Sequence, residues 1–178
     1  MSSNLKGIDG SDRHHLDQPE RSFLWNESGN AVGRTRTPFA NRSNRFWRVL
    51  HLAGFTARQL ELEQAPLLLD YCCGLTSAVA RPTVSATHLR RADYVAALPA
   101  FEHKIAKYGP RYLAFLGKPA VSVFLKQRNI SWGLQPTTLG GSAVWVLPNP
   151  SGLNCAFTIG MLTDAYRELF EAVALRGR

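Results

Sequence analysis

The run Val146-Leu147-Pro148-Asn149-Pro150-Ser151-Gly152-Leu153-Asn154 holds the residues best placed to do chemistry. An apolar stretch stops at two prolines and a glycine, and a leucine is left among small polar neighbours. A leucine at a turn tip either packs back against a neighbouring helix or is aimed at a partner. The chain carries a formal net charge of +8, which favours a polyanion. A stacked duplex suits both features, because an apolar wedge opens a base step without needing a matched donor. Phe39 offers an aromatic face that can stack on any pyrimidine, or a ring for the core. Arg45 and Lys118 are candidates for phosphate contacts. Arg45 equally suits docking of the helix it opens, and Lys118 equally suits solvent.

These residues need a scaffold, and the apolar pattern predicts one. Residues 44–52 are dense enough in apolar side chains for a half-buried helix, and Thr56 is placed to cap a short second helix over 57–60. Residues 65–71 are apolar and close at Gly74. Residues 92–108 read as an amphipathic helix in which Pro99 marks a break or fresh start, with Gly109-Pro110 as its stop. Residues 112–116 form a continuous apolar run, as a strand buried on both faces would. Lys118-Pro119 opens a helix running to about residue 128. Residues 143–147 read as a second buried strand, and residues 161–175 as a final helix with apolar spacing at 162, 165, 166, 169, 170 and 173. Strand, helix, strand, loop, helix predicts a single α/β domain with a central parallel sheet flanked by helices. Ligands of such sheets bind beyond the carboxyl ends of the strands, where residues 149–154 fall.

Composition bounds the rest. With 178 residues, 45% of them hydrophobic, the chain is long enough to bury one ordinary core. Three cysteines without framework spacing predict reduced, intracellular thiols, and the Cys72-Cys73 pair reads as packing. No stretch reaches the length needed to span a membrane. His14-His15 with Asp17 has no second cluster to complete a metal site, so neither metal nor cofactor is expected. Residues 1–37 are polar and without sustained period, and are expected to be irregular.

Taken together, Asn149-Pro150-Ser151-Gly152-Leu153 resembles the second signature motif of the mismatch-specific uracil-DNA and thymine-DNA glycosylases, most closely the bacterial branch. Further stretches agree in order and spacing: Pro38-Phe39-Ala40, Asn44-Arg45-Phe46-Trp47, Ala53-Gly54-Phe55-Thr56, Asp70-Tyr71, Arg81-Pro82-Thr83, Leu116-Gly117-Lys118, Trp145-Val146-Leu147-Pro148 and residues 165–169. The resemblance spans residues 38–178. It implies a uracil-DNA glycosylase-like fold. It also implies removal of uracil, and to varying degree thymine or modified pyrimidines, from mispairs with guanine in double-stranded DNA. The target nucleotide is flipped out of the duplex, water attacks the N-glycosidic bond, and an abasic site remains. By the same resemblance, Leu153 fills the vacated space, and backbone groups around Gly152 and Asn154 meet the widowed guanine. Phe39 stacks on the pyrimidine, and Asn149 and Ser151 shape the loop and help hold substrate. A monomer acting in the cytoplasm, at a bacterial nucleoid, is the matching expectation.

The chain departs from the family at its first motif, Gly-x-Asn-Pro-Gly, whose Asn positions the water. At that spacing stands Trp25-Asn26-Glu27-Ser28-Gly29, preceded only by Ser22-Phe23-Leu24. Codons for this pentapeptide, read one nucleotide later, can spell Gly-Met-Asn-Pro-Gly, so residues 1–37 are expected to be irregular or frame-shifted. If the segment is genuine, Glu27 and Asp93 are the acids available to orient water and stabilise a sugar cation. Asp93 also suits a plain helix start, where acids are favoured. A non-catalytic protein binding mispaired or abasic DNA is the alternative reading.

Overall fold

The computed structural model describes residues 22–26, 44–79 and 89–175, the first group by its backbone. A five-stranded sheet in the order β2-β1-β3-β5-β4 forms the middle layer. Its strands are β1 (Ser22–Asn26), β2 (Cys73–Ser77), β3 (Tyr112–Leu116), β4 (Gly133–Leu139) and β5 (Ser142–Leu147). β2, β1, β3 and β5 run parallel, and β4 joins β5 antiparallel at one edge. Helices α1 (Phe46–Ala53) and α4 (Ile159–Leu175), with the 3-10 segment Leu62–Tyr71, cover one face. Helices α2 (Arg91–Tyr108) and α3 (Pro119–Phe124) cover the other. The fold is a mixed α/β single domain with a largely parallel sheet between helices, as expected.

β3 is buried at every position and β5 at all but one. Alternate side chains divide between two cores. Tyr112, Ala114, Leu116, Trp145 and Leu147 join α1 and α4, while Leu113, Phe115, Val144 and Val146 join α2 and α3. This is why the two strands read as unbroken apolar runs rather than as alternation.

Several elements differ from the sequence expectation. β1 lies inside the segment expected to be irregular. Its five residues pair with β2 on one side and four of them with β3 on the other, so two parallel ladders hold a strand whose apolar run is only Phe23-Leu24-Trp25. β4 was not expected. It carries Pro136, which falls where its register with β5 shifts between Leu134 and Thr138, on an edge strand that tolerates a missing donor. Gly140 and Gly141, both at positive φ, make the two-residue turn into β5. Residues 57–60 form no helix, because Phe55, Thr56 and Leu60 are buried directly and so short a helix gains little from its own hydrogen bonds. Pro99 does not break α2, which is continuous. α3 ends at Phe124, earlier than expected, where Leu125 and Lys126 turn the chain with Lys126 at φ 54°.

α1 ends at Gly54, whose φ of 99° a side chain rarely adopts. Its amide donates to the His51 carbonyl and that of Phe55 to the Leu50 carbonyl (both 3.0 Å), closing the last turn. α4 lies directly against this corner. A Cβ on Gly54 would sit 3.0 Å from Cε1 of Phe170, and the Phe170 ring meets Phe55 edge-on at 5.3 Å.

Candidate functional site: a braced loop beyond the sheet

The chain leaves β5 at Leu147 and enters the 149–157 loop past the carboxyl ends of the strands. Gly117, just after β3, donates to the Leu147 carbonyl at 2.9 Å and keeps the two strand ends together. One residue on, the Tyr166 hydroxyl reaches up from α4 to the Pro148 carbonyl at 3.2 Å. Burial pushes the Tyr166 pKa well above its ordinary value, against the pull of the Arg45 charge, so the hydroxyl stays a donor.

The loop then binds itself. Asn149 Oδ1 accepts the Ser151 amide at 2.9 Å, and Ser151 Oγ accepts the Leu153 amide at 3.3 Å. The Asn154 amide donates to the Ser151 carbonyl at 3.0 Å, and Asn154 Nδ2 donates back to the Asn149 carbonyl at 2.9 Å. These turns are those that short polar side chains make with nearby backbone. Since Asn149 Oδ1 must face a donor, its Nδ2 is the group left over, and it makes no hydrogen bond among the described residues. The same holds for the N–H and C=O of Gly152. Leu153, at the tip, is 86% exposed.

Arg45, the residue before α1, fixes this loop from outside. Its amide donates to the Pro150 carbonyl at 3.1 Å. Its guanidinium donates from Nη1 to Phe157 O (2.6 Å), from Nη2 to Ser151 O (2.8 Å) and Asn154 O (2.9 Å), and from Nε to Pro150 O (3.4 Å). Asn44 Oδ1 caps the start of α1 by accepting the Phe46 amide at 2.9 Å. Of the two readings of Arg45, geometry selects docking: all three guanidinium nitrogens are engaged inside the protein, and a phosphate would compete with four carbonyls. Nothing local in the sequence signals this, because the partners lie 105–112 residues further along the chain.

The loop therefore brings together Asn149, Ser151, Gly152, Leu153 and Asn154. The backbone N–H and C=O of Asn154 are both spent, one on Ser151 and one on Arg45, so Gly152 is the residue with open backbone groups. Lys118 stands at the neighbouring strand end with Nζ 4.3 Å from the centroid of the Trp132 ring. Asp93 stands in the first turn of α2. Its Oδ2 accepts the Arg90 amide at 2.8 Å, a helix-start cap. Lys104, further along α2, bonds Thr76 Oγ1 at 3.1 Å at the end of β2. Phe39, Glu27, His14, His15 and Asp17 lie outside the described residues. Among the described residues no group of His, Cys, Asp or Glu is assembled to hold a metal ion, and no helix is long and apolar enough to cross a membrane.

The surface so built has an apolar tip, an open amide donor and unspent backbone groups on a loop that is itself rigidly bonded. It can enter a narrow apolar step and offer hydrogen bonds to whatever flanks it. The family model described as the Uracil DNA glycosylase superfamily matches this chain over residues 26–172.

Proposed function

Because the chain belongs to the uracil-DNA glycosylase superfamily, whose members are DNA-repair hydrolases of the N-glycosidic bond, we propose that it excises uracil from mispairs with guanine. Thymine and modified pyrimidines opposite guanine are secondary substrates in this reading. The observation that carries it is Leu153, held 86% exposed on a loop braced through Asn149, Pro150, Ser151 and Asn154. A flexible apolar tip would fold back; a braced one stays available to fill the space left by a flipped nucleotide. Flipping costs least at a mispair, which favours G·U and G·T sites over paired uracil.

The remaining groups suit the steps that follow. Gly152 presents its N–H and C=O to the opposite guanine. Asn149 Nδ2 donates to a carbonyl of the extruded pyrimidine, drawing off charge as the bond to the sugar breaks. Phe39 stacks on the ring. Water is the nucleophile, and no lysine is assigned to Schiff-base chemistry, so the product is an intact abasic strand. Glu27, which directly follows β1 in sequence, and Asp93 are the candidates to orient that water. The protein works as a monomer in the cytoplasm, at the bacterial nucleoid.

A second reading has its own support. Trp25-Asn26-Glu27-Ser28-Gly29 stands where the family has Gly-x-Asn-Pro-Gly, so the chain would bind mispaired or abasic DNA without cutting. Resequencing the gene through Trp25 tests the frame. Labelled duplexes with G·U, G·T and A·U pairs, incubated with protein and then alkali, separate the activities. Breakage at G·U well above A·U is expected. Equal breakage at both removes mispair specificity, and a gel shift without breakage leaves the binding-only reading.

A further inference from the structure

Lys118, the phosphate-contact candidate, stands beside the wedge loop with two residues that have no task in that reading, Trp132 and Phe157. Lys118 follows β3 just beyond Gly117. Trp132 directly precedes β4, whose Gly133 pairs with Val146 near the end of β5. Phe157 closes the wedge loop, its carbonyl held by Arg45. Their side chains meet over the strand ends. Lys118 Nζ lies 4.3 Å from the Trp132 ring centroid, and Trp132 meets Phe157 edge-on with centroids 5.5 Å apart.

Trp132 belongs to neither core cluster and is 42% exposed. Its turn is nevertheless fastened. The buried Gln135 side chain donates from Nε2 to the carbonyls of Ser131 and Gly133, both at 2.9 Å, one on each side of Trp132. A large ring kept in water on a tied turn, with a cation on its face, has the composition of a surface for stacked, anionic ligand. Its position says which. The ends of β3, β5 and β4 are neighbours, so the patch and the β5 loop are separated by about 10 Å or less, roughly three base steps of a duplex. A duplex engaged by Leu153 is long enough to reach this edge.

We propose that Lys118 and Trp132 form a second DNA contact, which takes the strand flanking the extruded nucleotide. The Trp132 ring packs on a sugar or an unstacked neighbouring base, and the Lys118 ammonium, already held over the ring, meets a backbone phosphate. Phe157 couples the contact to the wedge loop. The inference rests on the glycosylase reading above.

The test uses the full chain and a duplex carrying a tetrahydrofuran abasic analogue opposite guanine, so turnover plays no part. Affinity is measured across a salt series for wild type, Lys118→Met, Trp132→Ala and Trp132→Phe. Lys118→Met is expected to weaken binding and to reduce the slope of log affinity against log salt by about one. Trp132→Ala is expected to weaken binding by about five- to a hundredfold with the slope unchanged, and Trp132→Phe to restore part of it. Wild-type binding with unchanged affinity and slope in Lys118→Met and Trp132→Ala overturns this inference alone. Failure of wild type to bind overturns it together with the glycosylase reading.

Discussion

Leu153 and Arg45 divide one task between an exposed residue and an occupied one. Leu153 contributes almost nothing to the core, so Leu153→Ala is expected to leave the melting temperature unchanged while weakening binding to an abasic-site duplex about tenfold or more, the worth of the apolar carbons removed. Arg45→Met strips the partner from the carbonyls of Pro150, Ser151, Asn154 and Phe157. It is expected to lower stability by about 1–3 kcal/mol in denaturant titration and to weaken the same binding. With Arg45→Ala, millimolar guanidinium ion is expected to restore part of the affinity and sodium chloride of equal ionic strength is not. The exposure of Leu153 was legible because turn residues bracket it within one short stretch. That of Arg45 was not, since a bond to a carbonyl more than a hundred residues away leaves no local pattern.

At the scale of elements, what the sequence showed depended on burial and on interruption. β3 and β5 face two cores and so are continuous apolar runs, and α4 keeps helical spacing because one side packs on α1 and the sheet. β4 was hidden by Pro136 and by its edge position, and β1 by the polar Ser22 and Asn26 at its ends, although both complete the sheet. The motif residues 149–154 could be found by type. The braces that hold them, from Tyr166 and Arg45, are tertiary and appear only once helices and loop are packed together. The α1–α4 corner offers a direct check. Gly54→Ala places a side chain at φ 99° and its Cβ against Phe170, and is expected to cost about 1–3 kcal/mol by thermal or chemical unfolding.

For the molecule as a whole, two buried acids set a limit at alkaline pH. Burial, aided by neighbouring Cys72, pushes the Cys73 thiol up to about 12 from 9.0, and burial likewise raises Tyr166. The folded state therefore keeps protons that the unfolded chain releases, so this part of the stability is present below pH 9 and lost as pH rises toward 12. Melting temperature is expected to fall above pH 9, less steeply in Cys73→Ala. At neutral pH, maleimide followed by mass spectrometry should label exposed Cys155 and spare Cys73.

The span of the Arg45 brace also orders events in time. A growing chain that has made Arg45 must add 112 further residues before Phe157 exists to receive it. In refolding, closure of so long a loop is slow relative to local helix formation. Competence for DNA should then be acquired last. Stopped-flow circular dichroism is expected to recover helix signal before a fluorescent abasic duplex is bound, and coincident traces would contradict that order. A cell that translates this gene thus releases a helix-bearing chain before it releases a working repair protein.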